Sequence, residues 1–230
     1  MKALINYEIA SAFSKATGID VIPLPPYARL DFPVASHADM LFCVLNKVVF
    51  CYEDYIKENN LLSALMNEGY EVVFVSHMCQ KDYPNDISLN VLVMGKLLFC
   101  NQKYTAQEIL LYAKNNGYSV VDVKQGYSAC STLVLDANTA ITSDFGMAKA
   151  IEATGKRVLL INCDDILLPG YNHGFIGGAT AMVDEKIVVF GELDNTSFKE
   201  KLELVAKENK VGIFSILSGR VYDFGGVKLI

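Results

Sequence analysis

The sequence predicts an α/β fold built from five β-β-α-β units, with the fifth unit divided between the two ends of the chain. Four hairpin-like patterns recur at similar spacing, and each is followed by a helical pattern and an apolar strand. The two ends supply complementary halves of one further unit. We expect the five units to close into a five-fold pseudosymmetric α/β-propeller, because a closed ring leaves no sheet edge exposed.

Each hairpin pattern consists of two apolar runs around a short turn. In residues 40–51 the runs flank Asn46 and Lys47, a two-residue connection typical of a β-hairpin. The same pattern returns in residues 89–100, 132–142 and 179–190. The sequence therefore predicts four hairpins along the chain.

A helix and a further strand are predicted after each hairpin. In the first unit Ile56, Leu61 and Leu65 recur at helical spacing, and Gly69 follows them as a helix stop. Apolar runs follow the four helical patterns at residues 70–75, 118–123, 157–161 and 211–216. A helix between two strands is typical of a β-α-β crossover, in which the two strands pair in parallel.

The two ends of the chain complete the fifth unit. Residues 219–230 have the pattern of a hairpin with no helix after it, and residues 5–24 that of a helix and a strand with no hairpin before them. We expect a single domain over residues 1–230. Its units lie at about 37–76, 84–123, 129–161, 176–216, and 219–230 plus 1–24.

Composition and charge restrict the classes of partner and compartment. The net charge of -6 and the lack of a basic run argue against nucleic acid. No stretch approaches the roughly 18 apolar residues of a membrane helix, and Glu8 interrupts any secretory leader. The six cysteines show no zinc-type spacing and are expected to be reduced. These observations indicate a cytoplasmic protein without a metal.

The turns that enter the first strand of each hairpin are expected to converge near the axis of the ring. Alignment of the hairpins makes residues 37–39, 86–88, 129–131 and 176–178 equivalent, and Asp223 is the contribution of the fifth unit. The polar, reactive and glycine residues of these turns are the candidate site: His37, Asp39, Asp86, Cys130, Ser131, Gly177, Gly178 and Asp223.

A ring of five β-β-α-β units resembles the pentein superfamily, the α/β-propeller of guanidino-modifying enzymes. Its members include deiminases, dimethylarginine hydrolases and amidinotransferases, and a non-catalytic ribosome anti-association factor shares the fold. The segment at residues 169–178 also looks like an uncharacterised bacterial branch of the superfamily.

The resemblance extends to two short motifs with chemical roles. His37-Ala38-Asp39 resembles the His-x-Asp motif of pentein hydrolases, and Cys130-Ser131 resembles their nucleophile followed by a small hydroxylated residue. It implies that Cys130 is the nucleophile, His37 the general acid/base and Asp39 a carboxylate partner. The cysteine lies in the third unit rather than the last, so the chain is circularly permuted relative to the enzymes.

The candidate substrate-binding residues are chosen by their position in the aligned turns and not by a sequence motif. Asp223 and Asp86 are candidate carboxylates for a cationic group, because carboxylates bind guanidinium through charge-assisted hydrogen bonds. Ser131, Gly177 and Gly178 lie in the same turns and are candidate contacts. The glycines suggest a close backbone approach either to a ligand or to a neighbouring turn.

The leading functional hypothesis is a cysteine-dependent hydrolase or amidinotransferase acting on a cationic guanidino or amidine small molecule in the central pocket. It requires neither a metal nor an organic cofactor. The alternative is a non-catalytic module that binds a ligand or a partner on the same fold. Cys130 and His37 facing one pocket would favour the enzyme, whereas Cys130 buried in apolar packing would favour the binding module.

Overall fold

A computed structural model describes residues 1–230, with the exception of the side chain of Asn195. The strands, in chain order, are β1 (Lys2–Asn6), β2 (Asp20–Leu24), β3 (Phe42–Leu45), β4 (Val48–Cys51), β5 (Glu71–Phe74), β6 (Leu92–Met94), β7 (Leu97–Cys100), β8 (Ser119–Asp122), β9 (Thr132–Val134), β10 (Thr139–Thr142), β11 (Arg157–Leu160), β12 (Thr180–Val183), β13 (Lys186–Val189), β14 (Gly212–Ser215) and β15 (Val227–Leu229). The α-helices are α1 (Ala10–Thr17), α2 (Ala38–Leu41), α3 (Glu53–Glu58), α4 (Leu62–Asn67), α5 (Gln107–Asn115), α6 (Phe145–Ala153) and α7 (Lys199–Glu208).

The strands of the described residues form five three-stranded sheets with one shared topology. In each sheet the central strand pairs antiparallel with one neighbour and parallel with the other. The sheets are β3-β4-β5, β6-β7-β8, β9-β10-β11, β12-β13-β14 and β15-β1-β2. In every sheet a helical segment connects the central strand to its parallel neighbour. The mixed α/β class and the four predicted hairpins are thus confirmed, and none of these sheets closes into a barrel.

The sheet made by the two ends differs from the sequence-based prediction. The sequence predicts a hairpin within residues 219–230, but only β15 forms there, and it pairs with β1. Gly225 and Gly226 turn the chain at positive φ immediately before β15, while Tyr222 bridges to Leu167. The prediction that the N-terminal run from Ile5 onward is helical is also wrong. Residues 3–5 are fully buried in the central strand, and the helix begins at Ala10.

Two local differences occur in the first unit. Its predicted single helix is divided into α3 and α4, because Asn60 between them has a φ of 54° that an α-helix does not accommodate. The turn that contains the His-x-Asp motif is the one-turn helix α2, so the first hairpin strand begins at Phe42 rather than Met40. This second difference determines which way His37 and Asp39 point.

The helices bury one apolar stripe each against the sheets. Phe13 of α1, Ile109 of α5, Ile151 of α6 and Leu202 of α7 are fully buried. Complete burial of such a side chain stabilises the fold by about 1.5–3 kcal/mol. Of the helices in the described part of the chain, none is long and apolar enough to cross a membrane.

The first strands of all five sheets line one cavity of about 380 Å³, called the strand cavity below. Its walls are built from β3, β6, β9, β12 and β15. The turns that lead into these strands therefore come together at one end of the cavity. The candidate site residues lie in those turns.

Candidate functional site

His37 lies at the beginning of α2 with its ring almost fully buried. The backbone carbonyl of His37 accepts hydrogen bonds from Met40 and Leu41, which fixes the residue at the helix N-terminus. Its Nδ1 lies 3.8 Å from Oδ1 of Asp223, and within the described structure its Nε2 has no hydrogen-bond partner. A ring nitrogen without a partner is free to exchange a proton with a bound molecule.

A glycine makes room for the His37 ring. A Cβ on Gly225 would lie 2.2 Å from Cβ of His37, and its φ of 81° disfavours any L-side chain. The turn before β15 can therefore approach α2 closely enough to present Asp223 to His37.

Asp223 precedes β15 and has both carboxylate oxygens in hydrogen bonds with the backbone. The N–H of Phe175 donates to Oδ2 at 2.8 Å, and the N–H of Gly225 donates to Oδ1 at 2.9 Å. Burial raises the pKa of Asp223, while the positive charge of His37 and these two hydrogen bonds oppose the rise. Each oxygen retains a lone pair that a cationic ligand could use.

Cys130 lies in the turn before β9 and is held by Asn90 of the second unit. Asn90 Nδ2 donates to the Cys130 sulfur at 3.0 Å, and Asn90 Oδ1 accepts the N–H of Ala129 at 2.8 Å. The carbonyl of Cys130 accepts the N–H of Gly178 at 3.1 Å. Only 4% of Cys130 is exposed, and two neighbouring turns, those of Asn90 and Gly178, hold it in place.

The surroundings of Cys130 favour its neutral thiol over the thiolate. Burial raises its pKa well above the usual value near 9, and the negative charges of Asp39 and Asp223 raise it further. The hydrogen bond from Asn90 acts in the opposite direction, because it stabilises the thiolate. A positive charge beside Cys130 would therefore favour ionisation of its thiol.

His37, Cys130 and Asp223 line one cavity of about 220 Å³, called the thiol cavity below. These three predicted residues come from three different units, which supports the alignment of the turns. The segment that follows β11 covers the cavity and contributes Tyr171, Asn172, His173 and Phe175.

Asp39 lies on the wall of the strand cavity rather than the thiol cavity. It is buried, and neither of its carboxylate oxygens has a hydrogen-bond partner in the described structure. Burial raises the pKa of Asp39 to about 6, against the opposing effect of the positive charge of His37. His37 and Asp39 are two positions apart at the start of a one-turn helix, so their side chains point in different directions.

The other candidate residues lie behind the thiol cavity. Asp86 accepts a hydrogen bond from the Tyr127 hydroxyl at 2.7 Å, and it is Tyr127 that lines the cavity. Ser131 is fully buried and donates to the carbonyl of Ser128. The roles of Asp86 and Ser131 in substrate binding remain predictions.

Gly177 and Gly178 make close contacts with neighbouring turns. A Cβ on Gly177 would lie 2.3 Å from the carbonyl oxygen of Ala129, and a Cβ on Gly178 would lie 1.9 Å from Oδ1 of Asp223. Of the two interpretations left open by the sequence, these distances favour approach to a neighbouring turn. Contact of either glycine with a ligand is still a prediction.

Two features of the site were missed from sequence. Asn90 interrupts the apolar run of residues 89–93, two residues before β6. A polar side chain within an otherwise apolar run indicates a buried group that needs hydrogen-bond partners, and this signal could have identified it. Tyr127 and the segment around Tyr171 reach the cavity only through tertiary packing: Tyr127 and Phe175 have ring centroids 6.2 Å apart. Nothing local in their sequence indicates this contact.

Comparison with known proteins gives a family and a fold. Residues 3–228 match the profile of DUF6873, a family of unknown function. The chain belongs to this family. A search of curated proteins finds no match.

Solved structures with a similar fold include enzymes of the pentein superfamily, so the predicted resemblance is confirmed at the level of the mixed α/β fold. A cysteine-to-serine mutant of DDAH from Pseudomonas aeruginosa, complexed with citrulline, has a TM-score of 0.58 and 11% identity, with 97% of this chain and 87% of that chain covered. Inosamine-phosphate amidinotransferase from Streptomyces griseus gives 0.56 and 13%, with 96% and 77% covered. Agmatine deiminase from C. jejuni gives 0.52 and 11%, with 89% and 72% covered.

Proposed function

We propose that this protein is a cysteine-dependent enzyme that modifies a guanidino or amidine compound, by hydrolysis or by transfer of the amidino group. In this proposal Cys130 is the nucleophile, His37 the general acid/base and Asp223 the carboxylate that binds the cationic group. The observation that carries the proposal is the presence of these three side chains on the wall of one small cavity. The solved structures with this fold include a deiminase and an amidinotransferase, which supports the same reaction class.

The proposal includes a five-bladed arrangement of one domain. We infer that the five sheets surround a pseudo-fivefold axis through the strand cavity, with residues 1–230 as a single domain. The lining of that cavity by the first strand of every sheet supports this arrangement. The thiol cavity would then lie over one end of the axis, where the five turns meet.

A positive ligand would convert the resting thiol into a nucleophile. The pKa of Cys130 is raised by burial and by two carboxylates, so a guanidinium beside Asp223 would stabilise the thiolate by direct charge attraction. Ionisation would then be coupled to substrate binding, and the free enzyme would keep an unreactive thiol.

The chemical steps follow from these positions. The Cys130 sulfur bonds to the central carbon of the guanidinium, and the proton released from the thiol passes through His37 to the leaving nitrogen. Cleavage of that C–N bond releases an amine or ammonia and leaves an S-linked thiouronium. Water or an acceptor amine then adds to the same carbon and gives a proton to His37. Cleavage of the C–S bond, with return of that proton to sulfur, restores Cys130.

The proposal is tested by two alkylating agents that differ in charge. 2-Chloroacetamidine is a cation at neutral pH, and 2-chloroacetamide is its neutral isostere. We expect Cys130 to react with the amidine at least about tenfold faster, because one ion pair worth about 1.4 kcal/mol gives that factor. Mass spectrometry would identify the modified cysteine, and Cys130→Ser would remove the labelling.

Two variants and one control test the charge of Asp223 and the proton transfer by His37 separately. Asp223→Asn is expected to abolish the preference for the amidine, whereas Asp20→Asn, at an exposed position in β2, should preserve it. His37→Ala should abolish turnover of guanidino compounds with Cys130 still present. Equal reaction of Cys130 with both agents would contradict the enzyme proposal and favour the binding module.

A further inference from the structure

We propose that the thiol cavity is selective for a guanidino or amidine cation that carries no carboxylate, and that it excludes carboxylate-bearing ligands such as amino acids. This inference rests on the proposed function and specifies its substrate class. It is drawn from the charges, hydrogen bonds and apolar surface of the cavity wall.

The wall of the cavity has one carboxylate and no strong cation. Asp223 provides the negative charge, and in the described part of the chain neither lysine nor arginine lines the cavity. Arg29 is paired with Asp54 at 2.7 Å, and Lys228 lines the strand cavity instead. A ligand carboxylate would therefore enter without a guanidinium or ammonium group to compensate its charge.

Of the two histidines on the wall, His37 faces Asp223 and His173 is held by the backbone. His37 Nδ1 lies 3.8 Å from Oδ1 of Asp223, and the charge of His173 also acts on the Asp223 carboxylate. His173 Nδ1 lies 2.8 Å from the carbonyl of Gly174, which fixes the ring. A positive charge on the His37 ring is therefore already paired with the protein's own carboxylate.

The hydroxyl donors on the wall are also occupied. The Tyr127 hydroxyl donates to Asp86, and the Tyr171 hydroxyl donates to Asp31 at 3.4 Å. Tyr127 thus holds the buried Asp86 carboxylate behind the wall, and Asp31 lies at the exposed side beside Tyr171. Both carboxylates make the surroundings unfavourable for an anionic ligand. Asn172 on the covering segment is the neutral polar side chain left at the rim.

The rest of the wall is aromatic or aliphatic. The rings of Tyr127, Phe175 and His173 form a continuous group, with centroids 6.2 Å and 5.7 Å apart. Val34, Met40 and Leu168 complete the apolar surface. Aromatic faces attract cations, and aliphatic side chains gain by covering an uncharged tail. A compact cation with an apolar substituent matches this surface.

Agmatine and arginine form a matched pair of probes, because they differ only by a carboxylate on the same carbon. Binding to Cys130→Ser protein, which cannot react, would be measured by calorimetry, with benzylguanidine as a probe of the apolar wall. We expect agmatine and benzylguanidine to bind at least about tenfold more tightly than arginine, because an uncompensated carboxylate near Asp223 and Asp86 is repelled.

A positive charge added at the rim should weaken this selectivity. In Asn172→Arg the new guanidinium can pair with a ligand carboxylate, so the preference for agmatine over arginine should fall at least about fivefold. Asn115→Arg, at the exposed end of α5, adds the same charge away from the cavity and should leave the ratio unchanged.

The outcomes separate this inference from the proposed function. Equal affinity for agmatine and arginine would overturn the inference alone, provided that Cys130 still prefers the amidine reagent. No binding by any of the three compounds, together with equal reaction of Cys130 with both alkylating agents, would overturn both. If Asn172→Arg leaves the ratio of agmatine to arginine affinity unchanged, the ligand's carboxylate does not lie at the rim. The inference that the rim contacts this end of the ligand would then be wrong.

Discussion

Replacement of Asp39 by asparagine is expected to make the protein more stable at neutral pH. Asp39 is buried, and in the described structure neither of its oxygens has a hydrogen-bond partner. Burial raises its pKa from 3.8 to about 6, so the folded protein binds a proton at this carboxyl more tightly than the unfolded chain does. The neutral form of Asp39 is therefore compatible with the fold, and its ionised form opposes folding.

The sign and size of the effect follow from the pKa of Asp39 in the unfolded and folded states. The stability associated with the protonated group is fully present below the unfolded pKa near 3.8 and is lost as pH rises through about 6. A pKa difference of one between the two states is worth about 1.36 kcal/mol, so the whole difference is worth about 3 kcal/mol. About 2 kcal/mol of this should be lost between pH 4 and pH 7 in the wild-type protein, and none of it in Asp39→Asn.

Urea denaturation at pH 4 and pH 7 measures the difference directly. The quantity of interest is the change in free energy of unfolding between the two pH values, compared between wild type and variant. Asp20→Asn serves as the control, because it removes the same charge at an exposed position. If Asp39→Asn and wild type change by the same amount within about 0.5 kcal/mol, the description of Asp39 as an unpaired buried carboxylate is wrong.

Two further predictions concern the groups that hold the site together. Asn90→Ala should lower the free energy of unfolding by about 2–4 kcal/mol, because it leaves the buried N–H of Ala129 without its acceptor and removes the bond to the thiol. Asn116→Ala, which removes one exposed bond to a helix carbonyl, should cost less than about 1 kcal/mol in the same urea titration. Gly178→Ala should abolish the preference of Cys130 for the amidine reagent, because the added methyl would lie 1.9 Å from Oδ1 of Asp223; an unchanged preference with a folded protein would contradict this packing.

The sequence was sufficient for most of the fold because the units are local. The hairpins were predictable from apolar runs around short turns, and the helices from spacing within one segment. The fifth sheet was not, because β15 pairs with β1 and no short window contains both strands. Its completion from two half-units was predicted, but the strand assignment within it was wrong.

The site was partly predictable for a related reason. Alignment of equivalent turns placed His37, Cys130 and Asp223 together without any knowledge of packing. The separation of Asp39 from them could not be predicted, because it depends on whether residues 38–41 form a turn or a helix. Side chains alternate between two faces in an extended strand but follow the helical period in a one-turn helix. The helix therefore changes the direction in which Asp39 points relative to His37.

The pairing of the first and last strands also has a consequence for when the site comes into existence. Lys2 and Ile230 exchange backbone hydrogen bonds, and Asp223 is held in the turn that leads into β15. A ribosome would deliver His37 and Cys130 long before the strand that carries Asp223 to them. Until β15 docks on β1, the Cys130 thiol of a nascent chain would react as an ordinary exposed thiol, without a preference for a cationic reagent. Preference for a cationic reagent would then report, on a single residue, that β15 has paired with β1.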